Sequence, residues 1–273
     1  MPPGASCAKP GCGLRTDPFA EADLTRDAML GRRVHVFQPR EGYRAGTDPV
    51  LLAAAVDVRP GQAVLELGCG AAPALCCLGV RVPGLRLAGL ELQPGYAALA
   101  RRNLSENGLQ GEIWEGDLAT PPAGLKAERF DAVIANPPYF EARRRKAAAD
   151  AAREIARAGE TPLETWVATA SRRLKPRGFA TFIQRAERLP ELLAALQNHL
   201  GALELWPLLP REGRAPRLIL ARARKEGRAE FRFHAPAVIH AGDMHDDCDN
   251  SYTDRFEGVF RRGEPLIFPA KSR

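Results

Sequence analysis

Apolar residues recur along the chain in short runs divided by turn residues, and the runs are of two kinds. Ala63-Val64-Leu65-Glu66-Leu67, Leu85 to Glu91, Phe130 to Ala135 and Ala180 to Gln184 are mostly apolar and strand-length, and Glu112 to Glu115 is a shorter run around Ile113 and Trp114. That is the pattern of strands covered on both faces of a parallel sheet. Between them lie segments with helical spacing: Ala72 to about Leu78, Pro94 to Asn103 with an apolar face of Tyr96, Leu99 and Ala100, a segment from Thr161 and Pro162 to Leu174 with Gly178 as its stop, and Leu189 to Leu200. Strand and helix in alternation predict an α/β, doubly wound fold. Leu203 to Leu209 and Arg217 to Ala223 read as two more strands, completing a mostly parallel seven-stranded sheet with an antiparallel edge pair.

The flanks are less regular. Residues 1–24 are rich in Pro, Gly and small residues, and a disordered tail is expected there. Thr25 is predicted to cap a short turn leading to Met29 and Leu30, and Arg33 to Gln38 alternates as a strand does. Asp48 precedes Pro49 and an apolar run, the position of a helix N-cap; it serves only as a cap, or the helix start is presented to a ligand. Residues 25–228 are expected to form one domain, with residues 229–273 an extension packed on it.

Chemistry collects where strands end. Asn136-Pro137-Pro138-Tyr139 closes the Phe130–Ala135 run, and two prolines cannot continue a central strand. In an open α/β sheet the carboxyl ends of strands are where ligands bind. An amide side chain, stiffened carbonyls and an aromatic ring together make a clamp for a planar amide or amine; the plain alternative is a turn. Gly68-Cys69-Gly70 follows another strand and lets backbone approach a ligand, with Glu66 inside that strand. Pro73 stands near where a third glycine would favour a pyrophosphate, so a pyrophosphate is not expected. Glu91, followed by Leu92, can accept both hydroxyls of a ribose. Asp117, followed by Leu118, is placed to take an adenine amino group.

Composition narrows this picture modestly. The 273 residues carry a net charge of +6, which favours a polyanionic partner. Arg143-Arg144-Arg145-Lys146 directly follows the proposed clamp and reads either as a solvated face or as a phosphate contact. Arg211, Arg214 and Arg217 form a second basic group. Six scattered cysteines show no zinc spacing and are expected to be reduced cytosolic thiols. The acidic and histidine-rich run from His240 to Asp249 lacks calcium or zinc spacing, so no metal is predicted. No signal peptide or membrane span is evident, and a soluble cytoplasmic protein without a membrane partner is expected. Oligomeric state is not legible.

Glycine turn, ribose acid, adenine acid and Asn-Pro-Pro-Tyr, in that order, resemble the class I S-adenosyl-L-methionine (SAM)-dependent methyltransferases that act on exocyclic or amide nitrogens. Tyr43-Arg44-Ala45-Gly46-Thr47-Asp48-Pro49-Val50-Leu51-Leu52, Gln184-Arg185-Ala186-Glu187-Arg188-Leu189 and Asp249-Asn250-Ser251-Tyr252-Thr253 resemble more closely the bacterial tRNA adenine-N6 methyltransferases that modify adenine 37 of a valine tRNA. The resemblance spans roughly residues 25–260. It departs at Glu66, where aspartate is commoner, and at Ala72-Pro73, where a further glycine is usual. It implies a Rossmann-like methyltransferase fold, SAM as cofactor and tRNA as partner. It also implies Asn136, Pro137, Pro138 and Tyr139 as catalytic residues, and Thr47, Asp48, Glu66, Gly68, Cys69, Gly70, Glu91, Leu92, Asp117, Leu118 and Asn136 around the cofactor. Transfer to a protein glutamine N5 or to an rRNA guanine N2 uses the same framework, and a non-catalytic RNA-binding protein could retain it.

Overall fold

The structure is a computed structural model that describes residues 17–42, 44–138, 161–242 and 251–270. The chain opens with an antiparallel hairpin, β1 (Leu24–Met29) and β2 (Val34–Pro39). Thr25 therefore lies inside a strand and not at the start of a turn. The alternation of Leu24 inward and Thr25 outward sets this, and the chain reverses at Leu30, Gly31 and Arg32, all at positive φ. Just upstream, Phe19 meets Tyr96 edge to face at 5.1 Å between ring centres.

Then follow α1 (Asp48–Ala54), β3 (Ala63–Leu67), α2 (Pro73–Arg81), β4 (Arg86–Glu91), α3 (Pro94–Glu106), β5 (Gly111–Glu115), α4 (Ala123–Ala127) and β6 (Phe130–Ala135). The second half holds α5 (Leu163–Arg173), β7 (Leu174–Arg185), α6 (Leu189–His199), β8 (Gly201–Leu209), β9 (Leu218–Arg224), β10 (Arg232–Phe233), β11 (Ala237–Val238) and the short α7 (Asp254–Glu257). The main sheet has the order β10-β8-β9-β7-β6-β3-β4-β5, with β11 also on β8. Only β9 runs against its described neighbours. The seven expected strands are all present. Two two-residue strands from the C-terminal segment raise the sheet to nine and displace β8 from the edge: β10 falls within Phe231 to His234, which alternates in sequence as a strand does, whereas β11 leaves no period.

Gly178 does not stop a helix. Helix α5 ends at Arg173 and β7 begins at once. Phe130 pairs with Leu174 but Ala132 pairs with Phe179, so Lys175 to Gly178 bulge out of the ladder.

Alternation along β3 divides the core between the two faces of the sheet. Val64 joins Leu51, Leu52, Leu75 and Leu78 on the face covered by α1, α2 and α3. Leu65 and Leu67 join Trp166, Val167 and Leu196 on the face covered by α5 and α6. Phe256, Val259, Phe260, Leu266 and Phe268 from the C-terminal segment complete the first cluster.

Two asparagines four positions apart, Asn103 on α3 and Asn107 at its C-cap, dock the hairpin. Asn103 accepts from the Phe37 N–H at 2.8 Å and donates to the Phe37 carbonyl at 3.0 Å. Asn107 does the same with His35, at 2.9 and 2.7 Å. Each side-chain amide acts as one rung of a strand. Asn103, fully buried, also donates to the Ala71 carbonyl at 2.9 Å.

Candidate active site

Strands β6, β3, β4 and β5 lie side by side and parallel, so their carboxyl ends form one rim. At the end of β3 the chain turns through Gly68 at φ 60° and Gly70 at φ 55°, and Ala72 is left-handed at φ 59°. The Cys69 N–H is held by the Leu90 carbonyl at 3.1 Å, and Pro73 then starts α2. The Trp166 ring lies against the turn. A β-carbon on Gly68 would come within 2.9 Å of Cζ3 of that ring and closer still to Cη2.

Glu91, at the end of β4, accepts from the Gly70 N–H at 2.8 Å and the Gln93 N–H at 2.9 Å. Burial raises its pKa, and those N–H groups oppose the rise. Glu66 is 3% exposed, and its Oε2 has no hydrogen-bond partner among the described residues. Burial holds this carboxyl well above the usual range, and the charge of Glu91 adds to the effect. An orphaned acceptor beside a second acid favours a ligand carrying positive charge, which would restore ionisation. The exposed Asp117 turns its Oδ1 back to the Ala119 N–H at 2.8 Å. Leu92, 41% exposed, offers an apolar surface on the rim, and Leu118 is buried with its carbonyl bonded to Thr169. This donor and acceptor set suits a cationic, hydroxyl-bearing molecule such as SAM. Cys69, Cys76 and Cys77 are free and buried, and burial pushes the Cys77 thiol up to about 12. They are inert packing groups rather than nucleophiles.

On the neighbouring strand the chain leaves the sheet at Asn136-Pro137-Pro138. Asn136 is half-buried, Pro137 buried and Pro138 exposed. The Pro137 carbonyl accepts from Gln184 Nε2 at 3.3 Å, and the Pro138 carbonyl accepts from Arg188 Nη1 at 2.9 Å. Tyr139 lies outside the described residues, as do Tyr43, Arg143 to Lys146, and residues 243–250. The run from His240 to Asp249 is thus described only at its start.

Two expectations change. Asp48 is the first residue of α1 and Thr47 holds the cap position, with no capping bond from the Thr47 side chain. With Pro49 in the first turn one N–H that a cap would bind is absent. Arg211 is buried and donates to the Ala241 and Gly242 carbonyls, each at 2.7 Å, so it ties the C-terminal segment to β8 and is not presented to a partner. Arg214 and Arg217 remain exposed. Three residues at the rim were not singled out from sequence as site residues: Trp166, Gln184 and Arg188. Gln184 reads as the last residue of a strand, Arg188 lies in the segment noted for its resemblance, and Trp166 reads as ordinary core.

Among the described residues no cluster could hold a metal ion, and no helix is long and apolar enough to cross a membrane. The strand order, the single reversed strand and the acid-lined glycine turn define a class I, SAM-dependent methyltransferase. The chain belongs to the methyltransferase small domain family, whose model matches residues 44–205, more than half its length. It is similar to a tRNA1(Val) (adenine(37)-N6)-methyltransferase of Porphyromonas gingivalis, 30% identical over 229 residues that cover 80% of this chain and 89% of the relative. An enzyme of the same name from Haemophilus influenzae is 25% identical over 232 residues, 82% of this chain and 93% of the relative. Among solved structures, a predicted O-methyltransferase from Agrobacterium tumefaciens matches with a TM-score of 0.65 at 25% identity. That match covers 82% of this chain and 100% of the other.

Proposed function

We propose that the protein methylates the exocyclic N6 of an adenine in tRNA, at anticodon-loop position 37, with Asn136-Pro137-Pro138-Tyr139 as its substrate clamp. The observation that carries this reading is the half-buried Asn136 at a proline corner on β6, directly beside the glycine turn on β3. Similarity to relatives named for that reaction supports the substrate.

SAM supplies a methyl group made electrophilic by its sulfonium. The adenine N6 is a weak nucleophile because its lone pair is delocalised into the ring. The Asn136 side-chain oxygen and the Pro137 carbonyl accept its two N–H groups, concentrate electron density on nitrogen and stabilise the positive charge that develops there. Tyr139 stacks on the base. Holding the nitrogen in line supplies much of the remaining rate, and no strong base is required because the methylated nitrogen loses its extra proton readily. Glu91 receives the ribose hydroxyls, Asp117 the adenine amino group of the cofactor, and Glu66 faces its cationic end. Thr47, Gly68, Cys69, Gly70, Leu92 and Leu118 form the remaining walls. Arg214, Arg217 and the basic run Arg143 to Lys146 contact backbone phosphates, which hold the RNA without reading its sequence.

Nucleoside mass spectrometry of tRNA incubated with enzyme and isotopically labelled SAM tests the substrate. The expected product is N6-methyladenosine; label in a release-factor glutamine or in rRNA guanine overturns it. Asn136→Ala should remove most methyl transfer, by about a hundredfold or more, while leaving SAM affinity nearly unchanged. Persisting turnover removes Asn136 from the clamp.

A further inference from the structure

The proline corner has a weakness that its own backbone cannot repair. Neither proline has an N–H, so the ladder between β6 and β7 cannot continue past Ala135 by the ordinary main-chain bonds. That register pairs Ala135 with Phe182, and two residues further on it sets Pro137 opposite Gln184. There a side chain takes over. Gln184 Nε2 donates to the Pro137 carbonyl, while its Oε1 accepts from the Arg185 N–H at 2.8 Å. The second bond fixes which end of the amide faces the corner. Gln184 is 0% exposed, so water cannot substitute for it. The next carbonyl, that of Pro138, is held by Arg188, whose guanidinium is fixed by Glu191 Oε2 at 2.8 and 3.2 Å.

We infer that Gln184 and Arg188 are positioning residues that brace the two consecutive proline carbonyls from the end of β7, aiming the Pro137 oxygen for the reaction. This rests on the clamp proposed above. A carbonyl oxygen accepts two hydrogen bonds. Gln184 takes one site on the Pro137 oxygen from behind and leaves the other for the substrate amine. Arg188 stops the corner from rocking about that first contact. The brace touches neither cofactor nor substrate, so its loss misplaces an acceptor without emptying a pocket. It should be felt in the chemical step and hardly in SAM binding.

The test compares Gln184→Met, which keeps length and removes the donor, with Arg188→Ala and Arg188→Lys in the full chain. Single-turnover methyl transfer to tRNA, SAM affinity by calorimetry and thermal midpoint are measured on each. The expected result is a loss of about ten- to hundredfold in rate for Gln184→Met and Arg188→Ala, with SAM affinity unchanged and most of the Arg188 loss recovered by lysine. Should Gln184→Met fail to fold, the Arg188 pair decides, because that side chain lies nearer the surface. An unchanged rate in folded Arg188→Ala overturns the inference, as does a loss of SAM affinity in step with rate. Asn136→Ala, run alongside, separates the two ideas. If it abolishes transfer while the brace variants keep it, only the brace is wrong; if it retains transfer, the clamp itself is wrong.

Discussion

Replacing Gly68 by alanine probes the packing of the glycine turn. Two costs can be separated. The residue is at φ 60°, where a β-carbon costs roughly 1–2 kcal/mol. The added carbon would also press into the six-membered ring of Trp166, and overpacking of that kind costs about 1–3 kcal/mol. The sum is about 2–5 kcal/mol, a large share of a typical domain's stability. Gly108 provides the control. It sits at φ 66° after α3, and a β-carbon there would meet nothing within 4 Å, so Gly108→Ala should show the backbone cost alone, about 1–2 kcal/mol. Urea unfolding of both variants without ligand gives the difference. Repeating Gly68→Ala in a Trp166→Phe background removes the ring atoms that the methyl would strike, and the paired substitutions should then be less costly than their sum by about 1–3 kcal/mol. Equal costs at Gly68 and Gly108, or strict additivity with Trp166→Phe, would show that the indole does not set the shape of the turn.

Two acids should respond to pH with opposite sign. The folded pKa of Glu66 is raised, so its contribution is complete below the ordinary carboxylate value near 4.5 and is lost as pH rises through the raised value. Glu66→Gln should therefore raise the thermal midpoint at neutral pH and give no gain at about pH 4; a midpoint–pH profile parallel to that of the parent would contradict this. Glu204 behaves in reverse. Burial acts to raise its pKa, but Arg222, His234 and Arg232 outweigh burial and hold the carboxyl below its usual range, so its contribution is lost as pH falls. It bonds Arg222 and Arg232 at 2.6 Å each and His234 at 2.9 Å. Glu204→Ala should cost about 3–5 kcal/mol and expose the C-terminal segment to protease, and a variant as stable as the parent would refute the anchoring role.

The parallel core was legible because strands covered on both faces must be largely apolar, and Ala63–Leu67 and Phe130–Ala135, each with a single acid, have few other readings. The rim was legible for a related reason. Glycines and prolines mark where a strand must stop, and polar residues beside them have few places to point. What failed were judgements that rested on one residue. Thr25 resembles a cap but is a strand residue once Val34–Pro39 pairs beside it. Gly178 resembles a helix stop but sits in a bulge, because Leu174 had already joined the sheet. Asp48 resembles a cap but lies one position inside the helix, where Thr47 takes the cap position. Arg211 reads as surface charge, yet two distant carbonyls claim it. Strand β11 exists only because β8 offers an open edge, a tertiary cause without a local signature, whereas β10 sits in the alternating stretch Phe231 to His234.

The double duty of Asn103 bears on how this chain can be shortened. One amide holds Phe37 of the leading hairpin and, at its other hydrogen, the carbonyl of Ala71 in the turn after β3. Cutting the hairpin away would leave that amide half-employed and free to rotate, slackening a loop more than thirty residues downstream. The front of the molecule is thus a tensioner for the turn after β3, and a trimmed chain would be a slackened fold rather than a minimal one.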